Sequence, residues 1–194
     1  MKRWINIQYS QEGSGASDVL CLQTPLFLIG FMGVGKSSIA TRLGQLLRVP
    51  VHEMDEYIEV LVGMRIPEIF RQRGEDYFRG VESAALAELG NMGPRVISCG
   101  GGVPMRAANV SNMRASGKTL LLTAQPETIF QRVRKGNNRP LLNGNMNLPY
   151  ITQLMEQRRE RYEAAADTQV CTDGKTVEEI CQEIVTLLGL EKTV

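Results

Sequence analysis

The chain of 194 residues is 43% hydrophobic and 22% charged, with a formal net charge of +1. That length suits one domain, or one domain plus a tail, with enough chain to bury a core. The near-neutral balance excludes a global basic field for nucleic acid and an acidic tail. No apolar run approaches membrane-spanning length, and the first residues lack the apolar centre of a signal peptide, so neither a membrane nor a secretory role is expected. Cys21, Cys99, Cys171 and Cys181 form no C-x-x-C pair and no metal-ligand spacing. They read as reduced thiols, which points to the cytoplasm.

Residues 1–23 precede the first expected core strand. Ile5, Ile7 and Tyr9 alternate with polar residues and Gly13-Ser14-Gly15 follows as a joint, so the stretch reads as a loosely ordered N-terminal extension. Leu26-Phe27-Leu28-Ile29 is a short apolar run bounded by Pro25 and Gly30, which predicts a buried strand. Gly30-x4-Gly35-Lys36-Ser37 comes next, and Ile39, Leu43, Leu46 and Leu47 then fall at helical spacing between Ser38 and Arg48. Strand, glycine turn and helix in that order form a phosphate-cradling loop. Gly33, Val34 and Gly35 can aim backbone N–H groups at phosphate oxygens, where the helix N-terminus adds positive potential. Lys36 would reach the outer phosphates, and Ser37, followed by Ser38, would hold Mg2+.

Val51-His52-Glu53-Met54-Asp55 predicts a second strand, with His52 structural. Two-residue spacing puts the Glu53 and Asp55 carboxylates on one face of a strand. At a strand C-terminus, where open α/β sheets bind ligands, one acid can assist Mg2+ and the other can accept a substrate proton. Short helices are expected at 56–62 and 67–73. A longer one at 75–89 carries Phe78, Val81, Ala85 and Leu89 as its stripe, with Arg79 beside it. Arg95 to Cys99 predicts a third strand, and Gly100-Gly101-Gly102 after it implies close backbone approach to something. A helix near 105–115, a strand at 119–123 and a helix at 127–134 behind Pro126 follow. Residues 134–147, with five asparagines around Arg139-Pro140-Leu141-Leu142, are too polar and broken for regular structure. A segment of that kind with a central Arg can close over phosphates. In the next helix, 151–165, Arg158 falls on the apolar line Ile151, Met155, Tyr162. A charge there needs an anionic partner, either a ligand carboxylate or an internal acid. A fifth strand at 168–172 and a last helix opened by the capping box Thr176-Val177-Glu178-Glu179 complete the chain. Alternating strands and helices predict a parallel α/β sheet.

The stretch from about 25 to 188 resembles the shikimate kinase family. The likeness rests on Gly-Phe-Met-Gly-Val-Gly-Lys-Ser, on Ile69-Phe70, Gly74-Glu75, Phe78-Arg79 and Glu82, and on Ser98-Cys99 with the glycine triplet. Arg139-Pro140-Leu141-Leu142 and the Arg158–Tyr162 pair extend it. The resemblance implies a P-loop NTPase fold of the nucleoside monophosphate kinase type, a five-stranded parallel sheet flanked by helices. It divides the chain into an extension, 1–23, and one kinase domain, 24–190, with a substrate segment near 56–90 and a lid near 134–149. The implied reaction is transfer of the ATP γ-phosphoryl group to the 3-hydroxyl of shikimate, in the route to chorismate and the aromatic amino acids.

Carried onto this sequence, Asp55 holds the acceptor hydroxyl and is the candidate base. Arg79 and Arg158 hold the substrate carboxylate, and Gly101 and Gly102 offer backbone contacts. Lys36 and Arg139 neutralise the transferring charge. Gly33, Val34, Gly35, Ser37 and Ser38 wrap the nucleotide, and Arg132 packs on adenine. Ser37 ligates Mg2+, with Glu53 and Ser98 reaching it through water. Three departures stand out: Glu53 replaces the family's usual Asp, Glu160 replaces the Pro of an Arg-x-Pro-x-Tyr motif, and the N-terminal extension has no assigned counterpart in the family. Shikimate and ATP are the expected small-molecule partners of a monomer, without nucleic acid or membrane. The alternatives are another small-molecule kinase of this fold, such as a gluconate kinase, or a nucleotide-binding module without catalysis.

Overall fold

The computed structural model describes residues 22–134 and 147–190. Five parallel strands form one sheet in the order β2-β3-β1-β4-β5, with β1 Leu26–Gly30, β2 Val51–Glu53, β3 Val96–Ser98, β4 Lys118–Thr123 and β5 Thr168–Cys171. The central strand explains the order. Leu26, Phe27 and Leu28 pair with Val96, Ile97 and Ser98 on one side, and Leu26 to Gly30 pair with Lys118 to Leu122 on the other. All five β1 residues are buried, because helices cover both faces of a parallel sheet.

The pleat divides the core in two. Leu26 and Leu28 pack with Val96, Leu120 and Leu122 against helices α1 (Lys36–Leu47), α5 (Pro126–Val133) and α7 (Val177–Leu187). Phe27, Ile29 and Ile97 face helices α2 (Met54–Val62), α3 (Ile66–Gly90) and α4 (Ala107–Ser116). Each fully buried large side chain, such as Phe27 or Leu89, contributes about 1.5–3 kcal/mol. Helix α6 (Leu148–Ala165) belongs to both halves: Ile151 joins the first cluster, whereas Tyr162 and Ala165 join the second. It therefore crosses above the C-terminal edge of the sheet, with Arg158 between those anchors.

Several boundaries differ from the sequence expectation. β2 ends at Glu53, and Asp55 lies in the first turn of α2. The two carboxylates thus do not share a strand face; the chain turns between them. The helices expected at 67–73 and 75–89 run together as α3, broken at Gly74, whose φ of 82° and ψ of 173° are non-helical. A short 3-10 turn, Val103–Met105, precedes α4. The capping box at Thr176 is formed in both directions: the Glu179 amide donates to Thr176 Oγ1 at 3.2 Å and the Thr176 amide donates to Glu179 Oε2 at 2.7 Å. Leu22 already packs against the core, whereas residues 1–21, the rest of the expected extension, lie outside the described residues. So does 135–146, which contains Arg139 and most of the expected lid; Asn147 caps α6, and the lid's expected last residues, 148 and 149, open it.

Candidate active site

The nucleotide end is built by backbone. Gly33 and Gly35 take φ of 79° and 104°, left-handed conformations that favour glycine. They carry the chain from β1 into α1. The first turn of α1 has no capping side chain and no acidic residue, so its N–H groups and its positive end stay available to an anion. Lys36 Nζ donates to the carbonyls of Gly30 at 2.8 Å and Phe31 at 3.1 Å, which folds the ammonium back over the loop. Arg132, on α5, donates to Val34 O at 3.1 Å and to Thr172 Oγ1 and O at 3.0 and 3.2 Å. It ties the phosphate loop to the end of β5.

Glu53 stands beside this loop. Its carboxyl lies above its ordinary value because burial penalises the charge, while hydrogen bonds with the Ser98 and Ser37 hydroxyls oppose the rise. One carboxylate oxygen, Oε1, is buried without a hydrogen-bond partner. An orphaned acid oxygen grouped with two hydroxyls is a hard oxygen donor set, which suits Mg2+.

The acceptor end is built by side chains from three helices, α2, α3 and α6, that meet at the glycine triplet after β3. A Cβ at Gly100 would sit 2.9 Å from Asp55 Oδ1 and 3.4 Å from Glu82 Oε1; one at Gly102 would lie 2.2 Å from Arg79 Nη1. One at Gly101 would lie 3.4 Å from Tyr162 Oη and 3.7 Å from Arg158 Nη1. The close approach implied by three glycines is therefore made first by the protein's own polar groups. Asp55, Arg79 and Arg158, far apart in sequence, share one turn.

Arg79 is held by two acids. Its Nη1 donates to both oxygens of Glu82 at 3.1 and 2.9 Å, and Nε and Nη2 donate to Glu75 Oε1 at 3.2 and 3.1 Å. Glu82 is 1% exposed. Its carboxyl lies above its ordinary value chiefly through burial, opposed by Arg79 and reinforced by the charge of Asp55. Arg79 lies above its own value: burial lowers it, but Glu82 and Glu75 outweigh that. Glu75 is exposed, so it can yield its edge of the guanidinium to an incoming carboxylate, while Glu82 stays to fix the arginine. Arg158 is half-buried, its guanidinium carbon 6.0 Å from the centre of the Phe31 ring in the phosphate loop.

Sequence reasoning gave no role to Glu82, Glu75 or Phe31. Glu82 was detectable: it stands on the α3 stripe, four residues after Phe78, where an acid needs a cation. Phe31 was not, because its partner lies on α6. Glu160, in place of the motif's proline, is exposed, and α6 runs unbroken through it. His52 is structural as expected: its Nε2 meets Arg95 Nη1 at 2.7 Å, and burial, helped by Arg95, lowers its pKa. Among the described residues no helix is long and apolar enough to cross a membrane.

Comparison with known proteins adds to this geometry. The family model described as shikimate kinase matches residues 32–189. The chain belongs to the shikimate kinase family. A shikimate kinase of Thermus thermophilus is 42% identical over 159 residues, 81% of this chain and 86% of its own. The solved shikimate kinase of Acinetobacter baumannii in complex with shikimate superposes with a TM-score of 0.81 at 29% identity, covering 88% of this chain and 96% of that one. A gluconokinase from Sinorhizobium meliloti reaches a TM-score of only 0.54 at 18% identity, with 86% and 91% covered, and shares the fold alone.

Proposed function

We propose that Asp55, Arg79, Arg158 and the phosphate loop carry out the family's reaction, phosphorylation of the shikimate 3-hydroxyl by ATP to give shikimate 3-phosphate and ADP. The observation that carries this assignment of residues is the meeting of Asp55, Arg79 and Arg158 around Gly100–Gly102, beside the Lys36 loop. A small hydroxylated acid needs two cationic groups for its carboxylate and one acceptor for its hydroxyl proton, and these are the groups the turn gathers. A gluconate kinase has no need of such an arginine pair, and a binding module has no need of Asp55 next to it.

In this reading Arg79 and Arg158 grip the substrate carboxylate, with the backbone of Gly101 and Gly102 alongside. That grip fixes the ring so that the 3-hydroxyl lies against Asp55. The hydroxyl oxygen attacks the γ-phosphorus, ADP departs, and the hydroxyl proton passes to Asp55. Lys36 swings from the Gly30 and Phe31 carbonyls to the outer phosphates, and Gly33, Val34, Gly35 and Ser38 cradle the chain of phosphates. Arg132 flanks the base. Arg139, outside the described residues, is assigned to charge neutralisation. Ser37, Glu53 and Ser98 would hold Mg2+, which supplies positive charge to the phosphate oxygens when bound. The protein is taken as cytoplasmic and monomeric, with residues 24–190 as its single catalytic domain.

Asp55→Asn tests the reading. It preserves shape but removes the proton acceptor, so kcat falls by roughly 10²–10⁴, while the dissociation constant for shikimate, measured by calorimetry, changes far less. A kcat within a few-fold of the parent enzyme removes Asp55 from the chemistry.

A further inference from the structure

We infer that Tyr162 is a positioning residue that sets the spacing between Arg158 and the glycine turn. The inference rests on the substrate-carboxylate role given to Arg158 above. Tyr162 is 5% exposed, and its hydroxyl donates to the Gly101 carbonyl at 2.7 Å. It lies one helical turn after Arg158 on α6, so the two side chains project from the same face. A Cβ on Gly101 would meet Tyr162 Oη and Arg158 Nη1 at 3.4 and 3.7 Å, so both polar tips stand over one α-carbon. The hydroxyl has one proton, which goes to Gly101, and its lone pairs face the guanidinium. Its pKa is raised by burial, with Arg158 opposing through charge and hydrogen bonding.

On its other side the Tyr162 ring borders a cavity of about 200 Å³ lined also by Phe31, Leu122, Met155 and Arg159. With a cavity on one side of the ring, the hydroxyl-to-carbonyl bond joins α6 directly to the glycine turn and holds it in register with Gly101. The same bond keeps the Gly101 peptide plane turned, which orients the neighbouring N–H groups toward the substrate.

The test is Tyr162→Phe, which keeps the ring and removes one hydroxyl. The shikimate KM rises about three- to tenfold, with kcat and the ATP KM within twofold. In the double-mutant cycle with Arg158→Ala, the pair costs no more than Arg158→Ala alone, because the tyrosine acts through that arginine. A purely structural tyrosine gives a different pattern: a lower melting temperature with an unchanged shikimate KM, or additive effects in the cycle. Either overturns the inference. If Arg158→Ala itself leaves the shikimate KM unchanged, the carboxylate assignment fails as well, and the two failures are told apart by that single variant.

Discussion

The phosphate cradle at the nucleotide end is one uninterrupted stretch, Gly30 to Ser38, with Glu53, Ser98 and Arg132 set beside it, whereas the acceptor end draws Asp55 from α2, Arg79 from α3, the glycines from the turn after β3 and Arg158 from α6. The difference is chemical. Phosphates repeat along a chain and are bound by repeating N–H groups, so consecutive backbone suffices. A compact hydroxy acid presents a carboxylate and a hydroxyl in different directions, so side chains must converge from separate elements. The phosphate cradle is therefore shaped chiefly by local conformation, and the acceptor end is held together by cross-links such as Arg79–Glu82 and Tyr162–Gly101.

If that contrast is right, cutting a cross-link at the acceptor end harms shikimate binding and spares ATP. Glu82→Ala is the strongest cut. It leaves Arg79 with the exposed Glu75 alone and breaks a buried pair, with a loss of about 3 kcal/mol in a urea titration. That figure is the low end for breaking a buried pair, because Arg79 keeps a quarter of its side chain in water. The shikimate KM rises and the ATP KM holds; equal increases in both contradict the division. Glu53→Gln cuts at the other end. It removes the acidic member of the Ser37–Ser98 set, so the Mg2+ concentration for half-maximal rate and the Mn2+ dissociation constant read by spin resonance both rise about tenfold. The shikimate dissociation constant without nucleotide stays unchanged.

The smallest effect lies outside both ends and serves as a control. His52 has a folded pKa below its ordinary value of 6.5 because it is buried beside Arg95. The stability it holds is full above 6.5 and is lost as pH falls through the folded value, since unfolding then takes up a proton. His52→Gln removes that loss, flattening stability against pH below about 6.5 by at most roughly 1.4 kcal/mol per pH unit. The raised Glu53 and Glu82 carboxyls act with the opposite sign in acid, so the readout is the difference between parent and variant. Kinetic constants at pH 7.5 stay unchanged; altered values contradict the structural role of His52.

The same contrast explains what could be read in the sequence. The β1–loop–α1 unit, the five strands and the capped last helix are local patterns, and periodicity with turn chemistry revealed them. At the acceptor end pattern marked Asp55, the glycine triplet and Arg158 as candidates, and the family likeness added Arg79 and gave them a common substrate. Pattern alone mistook the Asp55 segment for strand, because one step past β2 the chain turns into α2, and a two-residue spacing cannot show that turn. The Phe31–Arg158 contact joins residues far apart along the chain, so no spacing announced it. Glu82 could have been found as an acid on an apolar stripe, and the partner of such a residue is set by tertiary packing.

The most direct measurement is initial-rate ADP release at saturating Mg2+-ATP, with shikimate and gluconate as acceptors, for the parent enzyme and for Arg79→Ala and Arg158→Ala. The account predicts release that depends on shikimate and not on gluconate. In each variant the shikimate KM rises roughly ten- to hundredfold, the loss of one charge-assisted contact of about 1.5–3 kcal/mol, with a much smaller change in kcat. Release driven by gluconate, or an unchanged shikimate KM in both arginine variants, contradicts it.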